Sequence, residues 1–590
     1  MLKLLKNIGK KEWIIAFICF ILIVGQVWLE LKMPDYMSKI TVLVQTEGSS
    51  MNEILQNGGY MLACALGSLI SSIIVGYFVS NISATFSMNT RKKLFNKVED
   101  LSMNEIKKFS TSSLITRTTN DITQIQMLVA MGLQLIIKAP ITAVWAVTKI
   151  LNKSWQWSAA TVVAVVILLG VIAALMAIVL PRFKIVQKLI DKLNGVTREN
   201  LTGIRVVRAF NAEDYQEEKF EKVNEKLTNQ QLFNQKAFSV LSPVMYLVMY
   251  FLTLSIYFIG AYLIKDAGLP EKVTLFGDMV VFSSYAMQVI MAFLMLAMIF
   301  MMLPRAQVSA SRINEVLDTP STIKDGKIKD GNTSEVGTIE FKNVSFKYPD
   351  GDEYLLKDIS FKANRGETIA FIGSTGSGKS SLVNLSPRLY DATKGEVLVD
   401  GINVKDYTQE TLHNKIGYVS QRTVMFNDSV KNNVSYGENG KDKITEKKIE
   451  KALEVAQAKD FVEKMEEKYE TNISQGGTNL SGGQKQRVSI ARAIARNPEI
   501  YIFDDSFSAL DYKTDSILRK ALNEYTKGTA TMVIVAQRIG TIMNADKIIV
   551  LDNGKIVGMG THKELLQNCE VYRQIALSQL TKEELENGRK

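Results

Sequence analysis

The sequence predicts an all-α transmembrane domain of six helices that is fused to an α/β domain. The first 305 residues contain long runs without charge, each close to the roughly 20 apolar residues that cross a bilayer as a helix. After residue 338, short β-branched strands alternate with helical patterns, which is typical of a largely parallel sheet. A stretch rich in glycine, serine, threonine and charge, 318–337, is predicted to link the two domains.

The fourth and fifth of the six spans are the clearest, because no charged residue occurs from Ser154 to Pro181 or from Ala237 to Ile264. The third contains Lys138 and a proline. A lysine within a span either faces the helix bundle or a wet cavity, where it is a candidate functional residue, or extends to a nearby headgroup. The predicted spans are 13–33, 57–87, 126–150, 157–181, 241–264 and 278–304.

The charge of the loops predicts the orientation in the membrane. Four lysines occur in 1–12 and four basic residues in 91–97, whereas Lys39 is the only basic residue of the loop 35–56. The positive-inside bias therefore predicts a multi-pass protein of the plasma membrane with both termini in the cytoplasm. Residues 1–12 are predicted to form an amphipathic elbow helix on the inner leaflet. The same bias explains the net charge of +10 without a nucleic-acid partner.

Two long polar segments, 91–123 and 182–236, have a helical pattern. They predict that the spans continue well into the cytoplasm, where such extensions can carry motion to a soluble domain. The three cysteines lie far apart in the sequence and indicate neither a disulfide framework nor a metal site.

The sixth span has a methionine at every third or fourth position, which places these side chains on one helical face. Methionine is soft and adaptable, so this face is either a permissive surface for apolar ligands or an ordinary packing surface in the bundle. The sequence leaves both interpretations open. The methionines are Met287, Met291, Met295, Met298 and Met302.

A phosphate-binding loop follows an early strand of the α/β domain. The predicted strand 368–373 runs directly into GSTGSGKSS, which matches G-x-x-x-x-G-K-[ST] in its strand-to-helix context. Lys379 is predicted to reach the β and γ phosphates of ATP, and the Ser380 hydroxyl to bind Mg²⁺. The predicted ATP-binding residues of this loop are Gly373, Thr375, Gly376, Ser377, Gly378, Lys379, Ser380 and Ser381.

A second motif, 480–511, combines a helix N-terminus with a strand that ends in acids. A Gly-rich turn opens a basic amphipathic helix, and a helix N-terminus presents N–H groups and a positive dipole end to an anion. The apolar run 500–503 predicts a buried parallel strand. It ends in Asp504 and Asp505, and the first of these carboxylates is predicted to bind Mg²⁺.

Together with the six spans, these motifs resemble those of the ATP-binding cassette (ABC) exporter half-transporters of the type IV fold. The resemblance covers nearly the whole chain. It implies an elbow helix at 1–12, a transmembrane domain at 13–317, a linker at 318–337 and a P-loop NTPase domain at 338–590. It also implies that two such chains form a head-to-tail pair of ATPase domains, which ATP binding closes and hydrolysis reopens.

The resemblance assigns further roles to individual residues. Tyr348 resembles the aromatic residue that stacks on adenine, and Gln421 the glutamine that links Mg²⁺ to the membrane helices. Ser508–Asp511 resembles the loop that touches the opposite subunit, and a coupling helix that docks on the partner is expected within 210–220. The family signature, which would complete the ATP site of the other subunit, corresponds to Ser481, Gly482, Gly483 and Gln484.

The chain departs from the family pattern at the predicted catalytic positions. Asp505 stands where the family has the glutamate that activates water, and Gln537 where it has a histidine; Gln475 replaces a glutamate found in many relatives. A base that is one methylene shorter is withdrawn by about 1 Å, which can cost on the order of 10²-fold. Glutamine cannot titrate near neutral pH as histidine does. Both changes are expected to weaken hydrolysis and to spare ATP binding.

These departures favour one half of a heterodimeric bacterial exporter of the multidrug type. Its partner would be a non-identical half-transporter with Asp-Glu and histidine, and the expected cargo is amphipathic or hydrophobic compounds, either drugs or lipids. Three alternatives remain: neutral drift with Asp505 still acting as the base, a homodimeric lipid or peptide exporter, and a nucleotide-gated channel or regulatory subunit. The sequence does not identify the cargo.

Overall fold

We describe a computed structural model of the 590-residue chain, which covers residues 2–46, 48–151, 155–329, 334–437 and 443–580. The chain divides into two compact units. The first comprises 1–99 and 111–319, and the second comprises 100–110 and 320–590. Part of the predicted linker, 330–333, and the last ten residues of the predicted ATPase domain lie outside the described residues.

The first unit is helical. In its described part, six helices are long and apolar enough to cross a membrane, as the sequence predicted. The helices up to residue 318 are α1 (Leu2–Leu5), α2 (Lys10–Gln45), α3 (Met51–Glu99), α4 (Met103–Lys108), α5 (Thr111–Thr116), α6 (Ile122–Leu151), α7 (Trp155–Thr202), α8 (Ile204–Ala209), α9 (Glu213–Ser239), α10 (Leu241–Asp266) and α11 (Leu269–Asp318), with a π-helical turn, Arg117–Asp121, before α6. Of these, α4 belongs to the second unit.

Several of these helices are much longer than a bilayer requires. α3 has 49 residues and α7 has 48, which corresponds to roughly 70 Å at the α-helical rise. The polar segments 91–123 and 182–236 are mostly helical. These lengths agree with the predicted continuation of the spans beyond the bilayer.

The segment 210–220, where a short coupling helix is expected, contains no separate short helix. α8 ends at Ala209, and Asn211 then adopts a left-handed backbone conformation with φ of 48°, which interrupts the helix. α9 begins at Glu213, whose charge is favourable at a helix N-terminus. The predicted segment therefore holds a turn and the start of α9, and Phe210 is exposed at this turn.

The second unit is an α/β domain with a largely parallel six-stranded sheet, ordered β12-β11-β3-β10-β9-β6, beside a four-stranded antiparallel sheet, ordered β2-β1-β4-β5. The strands are β1 (Ile339–Phe346), β2 (Leu356–Ala363), β3 (Thr368–Gly373), β4 (Lys394–Val399), β5 (Ile402–Asn403), β6 (Ile416–Val419), β7 (Asp428–Ser429), β8 (Asn472–Ile473), β9 (Ile500–Asp504), β10 (Thr531–Val535), β11 (Lys547–Asp552) and β12 (Lys555–Gly560). The helices are α12 (Lys379–Val383), α13 (Gln409–Lys415), α14 (Val430–Val434), α15 (Glu446–Val455), α16 (Lys459–Glu463), α17 (Gly482–Ala495), α18 (Tyr512–Thr526), α19 (Ile539–Ile542), α20 (His562–Asn568) and α21 (Glu570–Gln579). This architecture confirms the predicted fold class.

The central strands are apolar along their whole length because both faces of the sheet are covered. Every residue of β9 and of β10 is buried. Such continuous apolar runs are characteristic of parallel strands between two layers. In the register of the sheet, Val535 pairs with Asp504 on one side and with Phe371 on the other. The carboxyl ends of β3, β9 and β10 therefore meet at one edge, where α/β proteins bind ligands.

Candidate nucleotide-binding site

The loop after β3 has the backbone geometry of a phosphate cradle. Gly376 and Gly378 have φ values of 85° and 95°, a region that residues with a Cβ rarely adopt. A Cβ at Gly378 would also approach the Leu356 side chain to 2.7 Å. Thr375 and Gly376 are exposed at the tip of the loop, whereas Ser377 is buried at its base. The loop therefore needs glycine at the two positions where the sequence supplies it.

Lys379 folds back over this loop. Its Nζ donates hydrogen bonds to the carbonyl oxygens of Gly373 and Ser374, both at 2.8 Å, and to Oγ of Ser377 at 3.3 Å. Burial lowers the pKa of Lys379, although the nearby carboxylates oppose this effect. The ammonium group thus lies at the mouth of the loop. There, a phosphate oxygen can replace the neutral carbonyl and hydroxyl oxygens as the acceptor and form stronger, charge-assisted hydrogen bonds with Lys379.

Two oxygen ligands suited to Mg²⁺ lie beside the loop. The Ser380 hydroxyl donates to Oδ1 of Asp504 at 2.9 Å, and Asp504 is buried at the end of β9. Burial raises the pKa of the Asp504 carboxyl, and the hydrogen bond from Ser380 opposes it. A divalent cation would stabilise this buried carboxylate in its charged form. The hydroxyl and the carboxylate are therefore a donor set that fits Mg²⁺, which prefers hard oxygen ligands.

Asp505 lies between two side-chain amides. Nε2 of Gln537 donates to its Oδ2 at 2.8 Å, and Nε2 of Gln421 approaches the same oxygen at 3.4 Å. Burial raises the pKa of Asp505, which the hydrogen bond from Gln421 and the charge of Lys379 oppose. The backbone of Asp505 has a φ of 48°, an uncommon conformation that aspartate tolerates. Three residues that were predicted from separate motifs thus meet at one carboxylate.

The signature segment forms the N-terminus of α17. Oγ of Ser481 accepts a hydrogen bond from the backbone N–H of Gln484 at 3.3 Å, and the Gln484 side chain accepts one from the N–H of Ser481 at 2.9 Å. This reciprocal pair is a capping box, which fixes the first turn of the helix. Ser481 and Gly482 are exposed. Because ten further residues extend α17 beyond this turn, its dipole points a positive end at this exposed surface.

The loop 508–511 connects this helix N-terminus to Asp505. Oγ of Ser508 donates to the backbone carbonyl of Asp505 at 2.9 Å. Gly483 packs closely on Ala509, since a Cβ on the glycine would lie 3.2 Å from the Ala509 carbonyl oxygen. Asp511 caps α18 through the N–H of Thr514 at 2.9 Å. The loop is therefore in direct contact with both Asp505 and the signature segment.

Tyr348 lies over the start of α12. Its hydroxyl and the Ser381 hydroxyl are 2.8 Å apart, and its ring packs edge-to-face against Tyr390 with 5.3 Å between centroids. Nζ of Lys107, in α4, lies 4.5 Å from the Tyr348 centroid and 5.1 Å from that of Tyr390. A cavity of about 280 Å³ adjoins the two tyrosines. The ring is thus available as an aromatic platform beside the phosphate loop, and the sequence had predicted neither Tyr390 nor Lys107 as its neighbours.

The fold and the site together define a membrane protein with an ATPase domain. A family model of the ABC transporter transmembrane region matches residues 15–293, and a model described as ABC transporter matches residues 356–508. The chain belongs to the ABC transporter family, as a half-transporter with one transmembrane region and one ATPase domain. Its cofactors are ATP and Mg²⁺, it is a multi-pass membrane protein, and half-transporters of this family act as dimers.

Several relatives are similar over most of their length. The chain is 39% identical over 522 residues to an uncharacterized ABC transporter ATP-binding protein of Mycobacterium tuberculosis, covering 88% of this chain and 87% of the relative. It is 34% identical over 574 residues to the uncharacterized ABC transporter ATP-binding protein YfiB of Bacillus subtilis, covering 97% of each. An ATP-dependent lipid A-core flippase of Pseudomonas aeruginosa is 33% identical over 510 residues, covering 86% of this chain and 82% of the flippase.

A solved structure shares the fold of the whole chain. A bacterial Atm1-family ABC exporter with ATP bound superposes with a TM-score of 0.81, covering 96% of this chain and 99% of that chain. Its sequence identity is 23%, so the likeness concerns the fold alone.

Proposed function

We propose that this chain is one half of a heterodimeric exporter in which its own ATP site hydrolyses slowly. The observation that carries the proposal is the environment of Asp505, whose Oδ2 accepts hydrogen bonds from the amides of Gln421 and Gln537. A carboxylate in this setting is shorter than the family's glutamate and has no imidazole beside it. Loss of a positioned proton acceptor typically costs about 10²–10⁴-fold in rate. ATP binding is retained, because it depends on the phosphate loop and Lys379.

The signature of this chain is intact, and its role is to complete the site of the partner. Gly482 is exposed in the first turn of α17, and the backbone N–H groups of such a helix N-terminus are suited to the γ-phosphate of a nucleotide bound by another chain. The partner is a non-identical half-transporter that carries Asp-Glu and histidine. Hydrolysis takes place mainly at the site that the partner's phosphate loop and this signature form together. In the membrane, both termini of this chain face the cytoplasm.

The cargo is an amphipathic or hydrophobic compound, either a drug or a lipid, that leaves the cell. Two exposed methionines, Met291 and Met298, on the methionine face of α11 support a permissive apolar surface. A homodimeric lipid exporter is the second candidate, and the similarity to a lipid A-core flippase favours it. In that case Asp505 acts as the base, for which its raised pKa is favourable.

The ATPase activity of the purified chain alone, reconstituted in lipid nanodiscs, distinguishes the two candidates. The heterodimer proposal predicts turnover close to background, with ATP binding intact and little further loss in Asp505→Ala. Robust turnover that Asp505→Ala abolishes would overturn the proposal in favour of the homodimer. A nucleotide-gated channel is distinguished separately, by an ion conductance that depends on ATP binding.

A further inference from the structure

A cluster of polar side chains from three helices surrounds Glu30 within the first unit. Oε1 of Glu30, in α2, lies 2.8 Å from Nζ of Lys138, in α6. The same oxygen accepts hydrogen bonds from Nε2 of Gln26 at 3.0 Å and from Oγ of Ser68, in α3, at 3.1 Å. The ion pair answers a question that the sequence left open, because it shows that Lys138 faces the helix bundle.

A second ion pair joins the same two helices, α2 and α6. Nζ of Lys149 is 2.7 Å from Oδ2 of Asp35, and the Tyr285 hydroxyl, in α11, donates to Oδ1 of Asp35 at 2.5 Å and to the carbonyl of Leu31 at 3.0 Å. Glu30 and Lys138 lie within the predicted spans 13–33 and 126–150, where charged groups are costly even when paired and commonly mark a ligand pathway. The same helices could have packed through apolar side chains, so these charges call for a functional explanation.

Buried polar atoms on α2 and α6 also lack a hydrogen-bond partner within the described part of the chain. Gln26 is 3% exposed, and its Oε1 is unpaired although its Nε2 binds Glu30. Thr142, one helical turn beyond Lys138, is 7% exposed and its hydroxyl is unpaired. A buried polar group without a partner costs about 1–3 kcal/mol. A ligand with hydrogen-bond donors would satisfy these acceptor atoms.

The packing of α11 on α2 places a further unpaired oxygen at the level of Glu30. Gly277 packs against Ser38, since a Cβ on the glycine would lie 3.1 Å from the serine Oγ, whereas Tyr285 contacts Leu31. The two helices are therefore antiparallel at this contact. Gln288, one turn beyond Tyr285, comes level with Glu30, and its Oε1 is buried and unpaired among the described residues.

We propose that the amine cluster, defined as Gln26, Glu30 and Gln288, binds the protonated primary amine of an amphipathic substrate beside Lys138. The unpaired atoms of the two glutamines are hydrogen-bond acceptors, and Oε2 of Glu30 accepts no hydrogen bond from the described residues, since all three donors go to Oε1. A protonated amine supplies three donors and a positive charge. An anionic headgroup would instead have to break the pair with Lys138 and would leave the acceptors unpaired.

The apolar part of the substrate has a surface beside this cluster. Met291, Met295 and Met298 follow Gln288 at three, seven and ten residues, so they continue along the same face of α11. Met291 and Met298 are exposed. The cluster therefore binds the amine while the methionine face contacts the hydrocarbon. This inference rests on the proposed export of amphipathic compounds and specifies their chemical class.

Equilibrium binding to the full-length protein in phosphatidylcholine nanodiscs tests the proposal without requiring ATP hydrolysis. Three dansyl-labelled probes with the same alkyl chain, ending in a primary amine, an alcohol or a phosphate, are titrated by fluorescence anisotropy. We expect the amine to bind most tightly and Glu30→Gln to weaken it by at least about tenfold, with little effect on the alcohol. Tighter binding of the phosphate probe, or an amine affinity that Glu30→Gln leaves unchanged, would overturn the proposal.

Two further variants separate binding from folding. Lys138→Met removes a competing ammonium group and is expected to maintain or increase the amine affinity; a loss as large as that of Glu30→Gln would show that the pair is structural only and would contradict the proposal. Glu53→Gln, at an exposed position in the first turn of α3, is the matched control and should change nothing. The unfolding temperature of every variant is measured in parallel.

Competition with short-chain lipids identifies the source of the amine. Displacement of the amine probe by phosphatidylethanolamine but not by phosphatidylcholine supports a lipid substrate of this cluster, and displacement by neither supports a free amphiphilic amine. Failure of this proposal is distinguishable from failure of the proposed heterodimer, because probe binding is independent of which ATP site hydrolyses.

Discussion

Nε2 of Gln537 donates a hydrogen bond of 2.8 Å to Oδ2 of Asp505. These are the two positions at which the chain departs most from the family pattern, and they follow the adjacent strands β10 and β9. A histidine at the first position would titrate near neutral pH, and a glutamate at the second would extend about 1 Å further. The two departures therefore alter one shared contact, and together they make a single change in the chemistry of the site.

We expect Asp505→Glu and Gln537→His to act cooperatively on the ATPase rate of the chain alone. Residues in direct contact show non-additive effects, and a positioned base contributes about 10²–10⁴-fold. Each single variant should raise the steady-state rate by less than about tenfold, and the double variant by about 10²-fold or more. Phosphate release by the four proteins of the double-mutant cycle measures this.

The matched controls are Asp352→Glu and Gln574→His, at exposed positions of the same unit. They make the same chemical changes away from the site and should leave the rate unaltered. The fold-increase in rate of the double variant of Asp505 and Gln537 is compared with the product of the two single fold-increases. Equality of the two values would contradict the coupling.

In the reconstituted heterodimer, we expect Ser481→Ala to reduce hydrolysis more than Asp505→Asn does. Ser481 lies at the exposed N-terminus of α17, which we propose completes the partner's competent site, whereas Asp505 belongs to the proposed slow site. Steady-state ATPase rates of the pair give the ranking. The reverse ranking would place the competent site on this chain's own phosphate loop.

Ser481→Ala also removes a helix cap, which typically costs about 1 kcal/mol. Thr561→Ala is the control for this effect, because Thr561 forms the same type of capping box with Glu564 at the start of α20. The control should lower the unfolding temperature without lowering hydrolysis. An equal loss of hydrolysis in both variants would attribute the effect of Ser481 to stability.

We expect Tyr348→Ala to weaken ATP binding by about tenfold or more, because stacking of a base on an aromatic ring is worth about 1–3 kcal/mol. Tyr348→Phe keeps the ring and loses only the hydrogen bond to Ser381, so its affinity should change by no more than a few-fold. Binding of inorganic tripolyphosphate should be the same in all three proteins. Isothermal titration measures these affinities.

Tyr354→Ala is the control for the loss of an aromatic side chain. The Tyr354 ring contacts Lys394, the first residue of β4. The variant should leave both affinities unaltered. Equal losses of ATP and tripolyphosphate affinity in Tyr348→Ala would show a general disturbance of the loop in place of a contact with the base.

The buried carboxylates at the end of β9 are expected to destabilise the protein when no cation is bound. Burial raises the pKa values of Asp504 and Asp505, so the folded protein binds their protons more tightly than the unfolded chain. The free energy of unfolding therefore falls as pH rises from the ordinary carboxyl range through the raised pKa values. Asp504→Asn should raise the unfolding temperature at pH 7.5 in EDTA by on the order of a few °C.

This gain should shrink as pH is lowered through the raised pKa, and Mg²⁺ with ATP should stabilise the variant less than the wild type. Asp515→Asn is the contrasting control, because Asp515 is paired with Arg519 at 3.0 Å and 3.2 Å and its loss should lower the unfolding temperature. If Asp504→Asn lowered the unfolding temperature in EDTA, this would contradict the expectation that the buried carboxylates destabilise the protein when no cation is bound.

The local features of the molecule could be predicted from the sequence. Each of these features has a pattern that lies within about 20 neighbouring residues and predicts its structure. They are the six apolar spans, the strand before the phosphate loop and the apolar strand that ends in two aspartates. Parallel pairing then brings the ends of β3, β9 and β10 together, so that Lys379, Asp504 and Asp505 converge. That convergence follows from the order of the elements and a general rule for α/β sheets.

Contacts between residues far apart in the chain could not be predicted in this way. Lys107 approaches Tyr348 only because α4, from between two spans, packs with the second unit. The partner of Lys138 is Glu30, on a different helix, and a one-turn change in helix packing would have selected another residue. The prediction of a short helix within 210–220 was wrong because the left-handed turn at Asn211, after which α9 begins, has only a weak signal in the sequence.

Single-turnover hydrolysis tests the central claim most directly. The purified chain is incubated with a small amount of radiolabelled Mg-ATP, rapidly separated from free nucleotide, and the bound nucleotide is analysed over time. The slow site predicts that the wild type retains ATP uncleaved while the variant that combines Asp505→Glu with Gln537→His converts it to ADP about 10²-fold faster. Bound ATP that the wild type cleaves as rapidly as this double variant would contradict the account.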